Sequence, residues 1–345
     1  MKVPEFLHEN DTIAVTAPSA GITEAVDLVR LENAKLNLEE RGYRVVETPD
    51  VRKCSHGRSD TGAVRAQEFN RLFDDTAVKY IVSASGGDFL PLMLPFVDFE
   101  KISKNPKWFQ GYSDNTGLTY TITTLADVMT VYAGNFSDYG MGNLHRSVTA
   151  QLDILEGKAD CERGYRTYEK EFQDRITGLE GFNLTEEVKY ESINESKDAV
   201  MNGRLLGGCL DVLISLCGTK FDHTKEFIQK YKSDGVIWYL ESFALPSERL
   251  EIALWQLRQA GWFDTAKGFI FGRPCFFSSG YDTDFNTAVM SAIGDMKLPV
   301  ITGADIGHRP PRLTILNGAM AEAELKECVF TLHYDLKKDF TDRKN

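Results

Sequence analysis

The chain has 345 residues, of which 42% are hydrophobic and 26% charged, as in a globular protein large enough for two domains. Its formal net charge is -12, and its lysines and arginines are scattered. A nucleic-acid partner is therefore not expected, because a phosphate-binding face needs clustered cations. No apolar run has the length of a signal peptide or of a membrane span, so we expect a cytoplasmic protein with no membrane partner.

The six cysteines are far apart and form no Cys-x-x-Cys pair: Cys54, Cys161, Cys209, Cys217, Cys275 and Cys328. A chain of this length does not depend on disulfides, so we expect reduced thiols that are mostly buried. The histidines lack metal-ligand spacing, and no glycine-rich phosphate-binding motif follows the first strand. Neither a metal nor another cofactor is predicted.

In the first half of the chain, strand patterns alternate with helix patterns. Strands are predicted at 12–17, 44–47, 79–84, 108–110 and 128–132, and helices at 22–41 and 63–73. This order predicts an α/β domain with a parallel sheet and helices on both faces. Ligands bind beyond the carboxyl ends of such strands, where Gly86-Gly87 follows one strand and Ser113 another.

A segment rich in Glu, Lys, Arg and Asn interrupts this pattern. We therefore predict an N-terminal α/β domain over 1–160, a linker or site-covering segment over 161–200, and a C-terminal α+β domain over 201–345. In the last part, 203–208 is expected to open a helix, and a long helix is predicted over 247–260. Strands are predicted at 235–240, 268–271, 300–302, 313–316 and 328–333.

The sequence Gly111-Tyr112-Ser113-Asp114 joins a predicted strand to a predicted helix. A serine on such a turn projects its hydroxyl above a helix N-terminus, whose N–H groups can stabilise an oxyanion. This is the geometry of a nucleophile elbow. The spacing differs from Gly-x-Ser-x-Gly, and a plain helix N-cap is the commoner role of a serine in this context. The motif needs a base and an acid before it indicates catalysis.

His308 and Glu241 are the candidates for those two roles. His308 follows a short strand, in a loop between Gly307 and the pair Pro310-Pro311, and such loop histidines are typical of catalytic sites. Glu241 ends a predicted strand, where a carboxylate is costly to bury without a partner. Taken locally, a surface histidine and a helix-entry acid remain the alternatives.

Motifs in order along nearly the whole chain carry a family resemblance. They are 11–19, Gly86-Gly87, 111–116, 203–208, Leu240-Glu241, Gly307-His308 and Leu313-Thr314. The chain resembles peptidase family S66, which contains the LD-carboxypeptidases and the microcin C immunity peptidases. The resemblance implies that Ser113 is the nucleophile, His308 the base and Glu241 the acid that orients it. It also implies an oxyanion hole formed by the backbone N–H groups of Gly87 and Asp114.

The same resemblance implies a flavodoxin-like N-terminal domain that carries the nucleophile and a smaller α+β C-terminal domain that carries the acid and the base. It implies a cofactor-independent homodimer. The activity would be that of a serine-type carboxypeptidase acting at the bond between an L-centre and a D-amino acid. Its substrate would be a small peptide-like molecule, a muropeptide that loses its terminal D-alanine during peptidoglycan recycling.

Two departures from the family pattern leave other functions open. Asp88 and an apolar run stand where the family commonly has Tyr-Gly and then an arginine, and Cys209 stands where asparagine is usual. Asp88 is a candidate substrate contact, and its charge would repel an anionic substrate group. The length of the charged segment is closer to the immunity peptidases, which cleave a peptidyl nucleotide. A non-catalytic binding protein on the same fold is a third alternative.

A carboxypeptidase must also recognise a free carboxylate, for which a guanidinium is best suited. Arg309 is the candidate, with Arg312 and Arg204 as further arginines near the motifs. A solvated surface charge is the alternative role for each of them.

Overall fold

The computed structural model describes residues 1–194 and 197–336. The chain forms two compact units. The first unit contains Met1–Ala159, Glu171–Asn183 and Thr314–Leu316, and the second contains Asp160–Lys170, Leu184–Leu313, and Asn317 with the described residues after it. Residues 195–196 of the predicted 161–200 segment and 337–345 of the predicted C-terminal domain lie outside the described residues. The domain boundaries drawn from the sequence stay a prediction.

The strands are β1 (Thr12–Thr16), β2 (Arg44–Glu47), β3 (Val78–Ser83), β4 (Trp108–Gln110), β5 (Thr130–Tyr132), β6 (Cys161–Arg163), β7 (Thr167–Tyr168), β8 (Glu186–Glu187), β9 (Glu191–Ser192), β10 (Ala199–Cys209), β11 (Val236–Glu241), β12 (Ala266–Gly272), β13 (Val300–Ala304), β14 (Ile315–Asn317), β15 (Met320–Lys326) and β16 (Val329–Tyr334).

The α-helices are α1 (Ala25–Glu40), α2 (Gly62–Leu72), α3 (Phe99–Lys104), α4 (Thr116–Thr121), α5 (Arg146–Leu155), α6 (Leu210–Leu216), α7 (Thr224–Lys230), α8 (Ser247–Gln259) and α9 (Phe285–Ile293). The 3₁₀-helical turns are Leu90–Phe96, Ser113–Asn115, Phe136–Gly140 and Gly294–Met296, and Ile122–Ala126 is a π-helical turn. Within residues 1–194 and 197–336, no helix is both long and apolar enough to cross a membrane.

The first unit contains a six-stranded sheet in the order β14-β5-β4-β3-β1-β2. From β2 through β5 neighbouring strands pair in parallel. Every residue of β1, β4 and β5 is buried, as is typical of parallel strands covered on both faces. The parallel α/β fold expected from the sequence is confirmed. The carboxyl ends of β1, β3 and β4 meet at one edge, and Ala20 N–H there donates to Gly86 O at 3.2 Å.

The second unit is built on an eight-stranded sheet in the order β6-β16-β15-β10-β11-β12-β13-β9. Its central strands β10 to β13 are parallel, and antiparallel strands flank them on both sides. Glu241 is the last residue of β11, and His308 lies in the loop that follows β13. Both residues therefore lie at the carboxyl ends of parallel strands, Glu241 as the last residue of β11 and His308 beyond the end of β13.

The prediction that residues 203–208 open a helix was wrong. These residues lie inside the long strand β10, and α6 begins only at Leu210. The glycines permit close approach of the neighbouring strand: a Cβ at Gly207 would lie 1.7 Å from the carbonyl oxygen of Tyr239. A glycine-rich run that indicates a turn in isolation is here a strand interior packed against backbone.

The expectation of mostly buried thiols was also wrong. Only Cys209 and Cys275 are buried, whereas Cys54 and Cys328 are exposed; the remaining two are half-buried. All six lie in the described part of the chain, and none of them forms a disulfide.

We predict that Gly207→Ala destabilises the protein by about 3 kcal/mol or more, because the new methyl group would overlap the Tyr239 carbonyl and force the sheet apart. The matched control is Gly181→Ala, where a Cβ has no neighbour within 4 Å; its free energy of unfolding should stay within about 0.5 kcal/mol of wild type. Urea denaturation followed by circular dichroism measures both. Equal stabilities of the two variants would contradict the close approach described here.

Candidate active site

Ser113 occupies a strained turn between β4 and α4. Its φ is +63°, a left-handed conformation that is uncommon for a residue other than glycine. The turn Ser113–Asn115 leads directly into α4, so the structure has the strand, turn and helix predicted from the sequence. Backbone strain of this kind is concentrated at functional sites, and this arrangement is that of a nucleophile elbow.

Two asparagine side chains hold the elbow in place. The Asn115 amide donates to Tyr112 O at 3.1 Å and to Asn135 Oδ1 at 3.2 Å, and the same Oδ1 accepts the Tyr112 N–H at 3.2 Å. A Cβ at Gly111 would lie 2.7 Å from the Asn115 Cβ, so only glycine fits there. The sequence analysis missed Asn135. Its position just beyond a parallel strand, β5, was the available signal.

The Gly86-Gly87 loop lies directly against the serine. A Cβ at Gly86 would be 3.3 Å from both Cβ and Oγ of Ser113. Gly87 has a φ of +155°, and a Cβ there would lie 2.3 Å from the hydroxyl of Ser19. The double glycine therefore brings bare backbone next to the serine, and an oxyanion hole at Gly87 and Asp114 stays a prediction.

The carboxylate of Asp114 connects three loops of the first unit. It accepts hydrogen bonds from the Ser19 hydroxyl and, at 2.8 Å, from the Leu90 N–H. Burial raises the pKa of Asp114, and the two hydrogen bonds partly oppose that shift. The side chain thus positions the loops after β1 and β3. The sequence analysis used only the backbone N–H of Asp114 and missed Ser19 as the partner of its side chain.

Glu241 and His308 meet in the second unit. Oε2 of Glu241 lies 3.0 Å from Nδ1 of His308, and the two residues are 1% and 6% exposed. This contact orients the ring with a proton on Nδ1, which makes Nε2 the basic nitrogen of the neutral imidazole. A Cβ at Gly307 would lie 2.6 Å from Oε2 of Glu241, so glycine leaves room for the pair. The buried carboxylate has the partner that its burial requires.

An exposed aromatic pair adjoins the histidine, and the sequence analysis did not identify it. The ring of Phe243 lies 4.5 Å from that of His308 and 5.2 Å from that of Phe276, and the two phenylalanines are 38% and 53% exposed. The carboxylate of Asp211 accepts the N–H groups of Phe243 at 3.0 Å and Ala244 at 3.1 Å. This fixes the loop that follows Glu241 and gives the histidine an apolar neighbour open to solvent.

The candidate arginines hold the backbone of the second unit. Arg309 donates from Nε to Pro274 O at 3.2 Å, and Arg312 donates from Nε to Gly307 O. Arg204 is buried and pairs with a carboxylate at 2.8 Å. Arg309 as a substrate contact stays a prediction. Asp88, the other candidate contact, is exposed in the loop of the first unit.

Both halves of the chain match models of a known family. Residues 13–133 match the LD-carboxypeptidase N-terminal domain, and residues 202–323 match the LD-carboxypeptidase C-terminal domain, both of peptidase family S66. The chain belongs to peptidase family S66. This membership makes it a peptidase whose curated relatives include carboxypeptidases.

Two of these relatives carry different descriptions. The chain is 26% identical over 301 residues to the "Microcin C7 self-immunity protein MccF" of Escherichia coli, covering 81% of this chain and 80% of that protein. It is 26% identical over 332 residues to the "Probable murein peptide carboxypeptidase" of Bacillus subtilis, covering 94% and 92%. A solved structure of MccF in complex with aspartyl sulfamoyl adenosine superposes with a TM-score of 0.78 at 23% identity, covering 96% and 98% of the two chains.

The raised pKa of Asp114 predicts a pH-dependent difference in stability. Protonation of this carboxyl favours the fold; that contribution is present below the unfolded pKa of about 3.9 and is lost as pH rises through the raised folded value. Asp114→Asn cannot titrate, so its free energy of unfolding relative to wild type should increase as pH rises through that window. Urea denaturation at several pH values measures this difference.

The matched variant is Asp114→Ala, which removes the acceptors of the Ser19 hydroxyl and the Leu90 N–H. It should be less stable than Asp114→Asn at every pH, because unpaired buried donors are costly. A stability difference between wild type and Asp114→Asn that does not change with pH would contradict the assignment.

Proposed function

We propose that the protein is a serine peptidase in which Ser113 is the nucleophile, His308 the general base and Glu241 the group that orients the base. The observation that carries this proposal is the buried Glu241–His308 hydrogen bond of 3.0 Å, together with the left-handed Ser113 of the elbow. A serine hydroxyl needs a base to become a nucleophile, and the base needs a fixed tautomer. The other histidines of the sequence have no role in this scheme.

The proposed reaction starts with attack of Ser113 Oγ on the substrate carbonyl while His308 Nε2 takes the hydroxyl proton. The charge of Glu241 stabilises the resulting imidazolium. The N–H groups of Gly87 and Asp114 donate hydrogen bonds to the oxyanion of the tetrahedral intermediate. Collapse of that intermediate breaks the amide bond, and His308 returns its proton to the leaving amine. Water, activated by His308, then releases the acyl group and restores the serine.

Two local features support the oxyanion hole. The loop of Gly86 and Gly87 lies against the serine, so that a Cβ at Gly86 would be only 3.3 Å from Ser113 Oγ. Asp114 is the second residue of the turn Ser113–Asn115, where a backbone N–H has no partner within the turn itself. The hydrogen bonds from the Ser19 hydroxyl and the Leu90 N–H hold the carboxylate of Asp114 inside the protein, leaving its backbone as the group that serves the substrate.

The substrate proposed first is a muropeptide stem that ends in D-alanine, cleaved at its L–D junction in the cytoplasm. The support is the LD-carboxypeptidase description of both matched domains and the relative from Bacillus subtilis described as a murein peptide carboxypeptidase. A homodimer is part of the same proposal, because the family resemblance implies it. Light scattering coupled to size-exclusion chromatography checks the oligomeric state.

A second candidate is an immunity-type peptidase that cleaves a peptidyl nucleotide. The exposed rings of Phe243 and Phe276 favour it, because they offer a stacking surface for a nucleobase next to His308. The relative MccF is described as a self-immunity protein, and its solved complex contains aspartyl sulfamoyl adenosine.

Replacing Ser113 by alanine should lower kcat/KM by about 10³-fold or more, and Glu241→Gln by about 10²- to 10⁴-fold, because each change removes part of a unit that acts together. Mass spectrometry of D-alanine released from a muramoyl tetrapeptide measures both. Thr76→Ala, which removes an exposed hydroxyl of the same unit as Ser113, is the matched control and should keep wild-type activity. Full activity of Ser113→Ala would exclude the proposed nucleophile.

The two candidate substrates separate in one assay with a muramoyl tetrapeptide and a peptidyl sulfamoyl adenosine. If the nucleotide is a substrate, Phe276→Ala should lower its cleavage by about 10-fold, because one stacking surface is lost. The control Trp255→Ala removes an aromatic side chain of similar exposure. It should change neither rate.

Release of D-alanine with no cleavage of the nucleotide would support the muropeptide activity, and the reverse would support the immunity activity. Binding of either molecule without cleavage would favour the non-catalytic alternative.

A further inference from the structure

An arginine outside the family motifs packs against the loop that contacts Ser113. Arg58 belongs to a tight turn after β2, where it pairs with Ser55 in an isolated bridge. Its guanidinium carbon lies 3.9 Å from the centre of the Phe89 ring, and Phe89 is two residues beyond Gly87. A Cβ at Gly57 would be 3.1 Å from the same ring, so the whole turn packs on Phe89. The cation is thus fixed against the double-glycine loop.

The guanidinium of Arg58 has donors to spare. Arg58 donates a hydrogen bond from Nε to His56 O at 3.2 Å. Within residues 1–194 and 197–336, Arg58 forms no ion pair. The neighbouring Arg52 differs, because it pairs with Glu47 at 2.7 Å. Arg58 is half-buried, so its unpaired charge is fixed in place but reachable from solvent.

The ring beneath Arg58 belongs to a rigid part of the first unit. Buried Arg65 donates from Nη2 to Phe89 O at 3.0 Å. The next residue in the chain donates its N–H to Asp114 at 2.8 Å, beside the elbow. A few residues before Phe89, Gly86 lies against Ser113. A group bound by Arg58 would therefore be held at a fixed place relative to the serine.

We propose that Arg58 binds the terminal carboxylate of the substrate, which departs with the D-amino acid. This assignment rests on the proposed carboxypeptidase function and names the residue that makes it specific for a free chain end. A guanidinium can hold a carboxylate through two parallel N–H donors, and stacking on a ring reduces the conformational freedom lost on binding. Arg309 and Arg312, in contrast, donate to carbonyls of their own loops.

Asp88 lies one residue before Phe89 and opposes this role. It is exposed, and no ion pair neutralises it in the described part of the chain. The carboxylate of Asp88 repels an anionic chain end, whereas the guanidinium of Arg58 attracts that chain end. The affinity for a carboxylate therefore depends on the balance of these two charges. Asp88→Asn should strengthen the binding of a free-acid peptide by about 2- to 5-fold at low salt, because one like-charge repulsion is removed.

The experiment compares a muramoyl tetrapeptide ending in D-alanine with the same peptide as its C-terminal amide. The wild type should prefer the free acid. Arg58→Gln should lower kcat/KM for the acid by about 10- to 100-fold and change that for the amide by about twofold or less, because only the acid loses a charged hydrogen-bonding partner. Arg58→Lys keeps the charge but lacks the planar fork of the guanidinium. Its kcat/KM for the acid should lie between those of wild type and Arg58→Gln. Arg71→Gln, an exposed arginine of the same unit, is the matched control.

Binding is measured in parallel by calorimetry with Ser113→Ala and Ser113→Ala/Arg58→Gln, so that the carboxylate site is tested even without turnover. Preferential binding of the acid that Arg58→Gln abolishes supports the assignment, and absence of cleavage by wild type would then reject only the hydrolysis. An acid-to-amide ratio within about twofold of wild type in the folded Arg58→Gln protein would overturn the assignment while leaving the peptidase intact. Failure of the Ser113→Ala protein to distinguish acid from amide would overturn it as well.

Discussion

The buried carboxylate of Asp114 is the interaction on which the geometry around Ser113 depends. A carboxylate that is 3% exposed is costly unless donors surround it, and here the donors come from the Ser19 hydroxyl and the Leu90 N–H. Those donors belong to loops after two different strands. The polar group therefore fixes the relative positions of three loops, and the strained backbone of Ser113 persists because its surroundings leave it no alternative.

In the second unit, a buried carboxylate is likewise paired with a hydrogen-bonding group from another loop. Glu241 is buried at the end of a parallel strand, and a single ring nitrogen of His308 stands at hydrogen-bond distance in a loop after another strand. Glycine supplies the room in both units: Gly86 beside the serine and Gly307 beside the acid. A side chain at Gly86 would displace Ser113, and one at Gly307 would displace Glu241. Close approach thus explains Gly86, whereas Gly307 is required both by close approach and by its φ of +97°.

The sequence predicted the strands that carry the candidate site, because short apolar runs are typical of buried strands in a parallel sheet. Ser113, Glu241 and His308 each follow or end such a run, so their placement beyond strands could be read directly. The contacts of Asp114 could not, since its bond to Ser19 joins residues 95 positions apart and either residue has many polar partners in the sequence. The strand β10 was misread because glycines are depleted in strands unless backbone packs on them, which only the neighbouring strand reveals.

The residues proposed to contact the substrate differ in their surroundings from the proposed reacting groups. The elbow and the Glu241–His308 pair are held by buried hydrogen bonds, whereas Asp88, Arg58 and Phe243 are partly exposed in loops or turns. Loops can exchange such residues without disturbing a core, so the same scaffold can serve different substrates. Under the proposed assignment, Arg58 supplies from another turn the cation that the double-glycine loop lacks, and its stacking on Phe89 places it against that loop. A departure from the family motif in this loop is therefore compatible with recognition of a carboxylate, because an arginine from a neighbouring turn packs on the same loop.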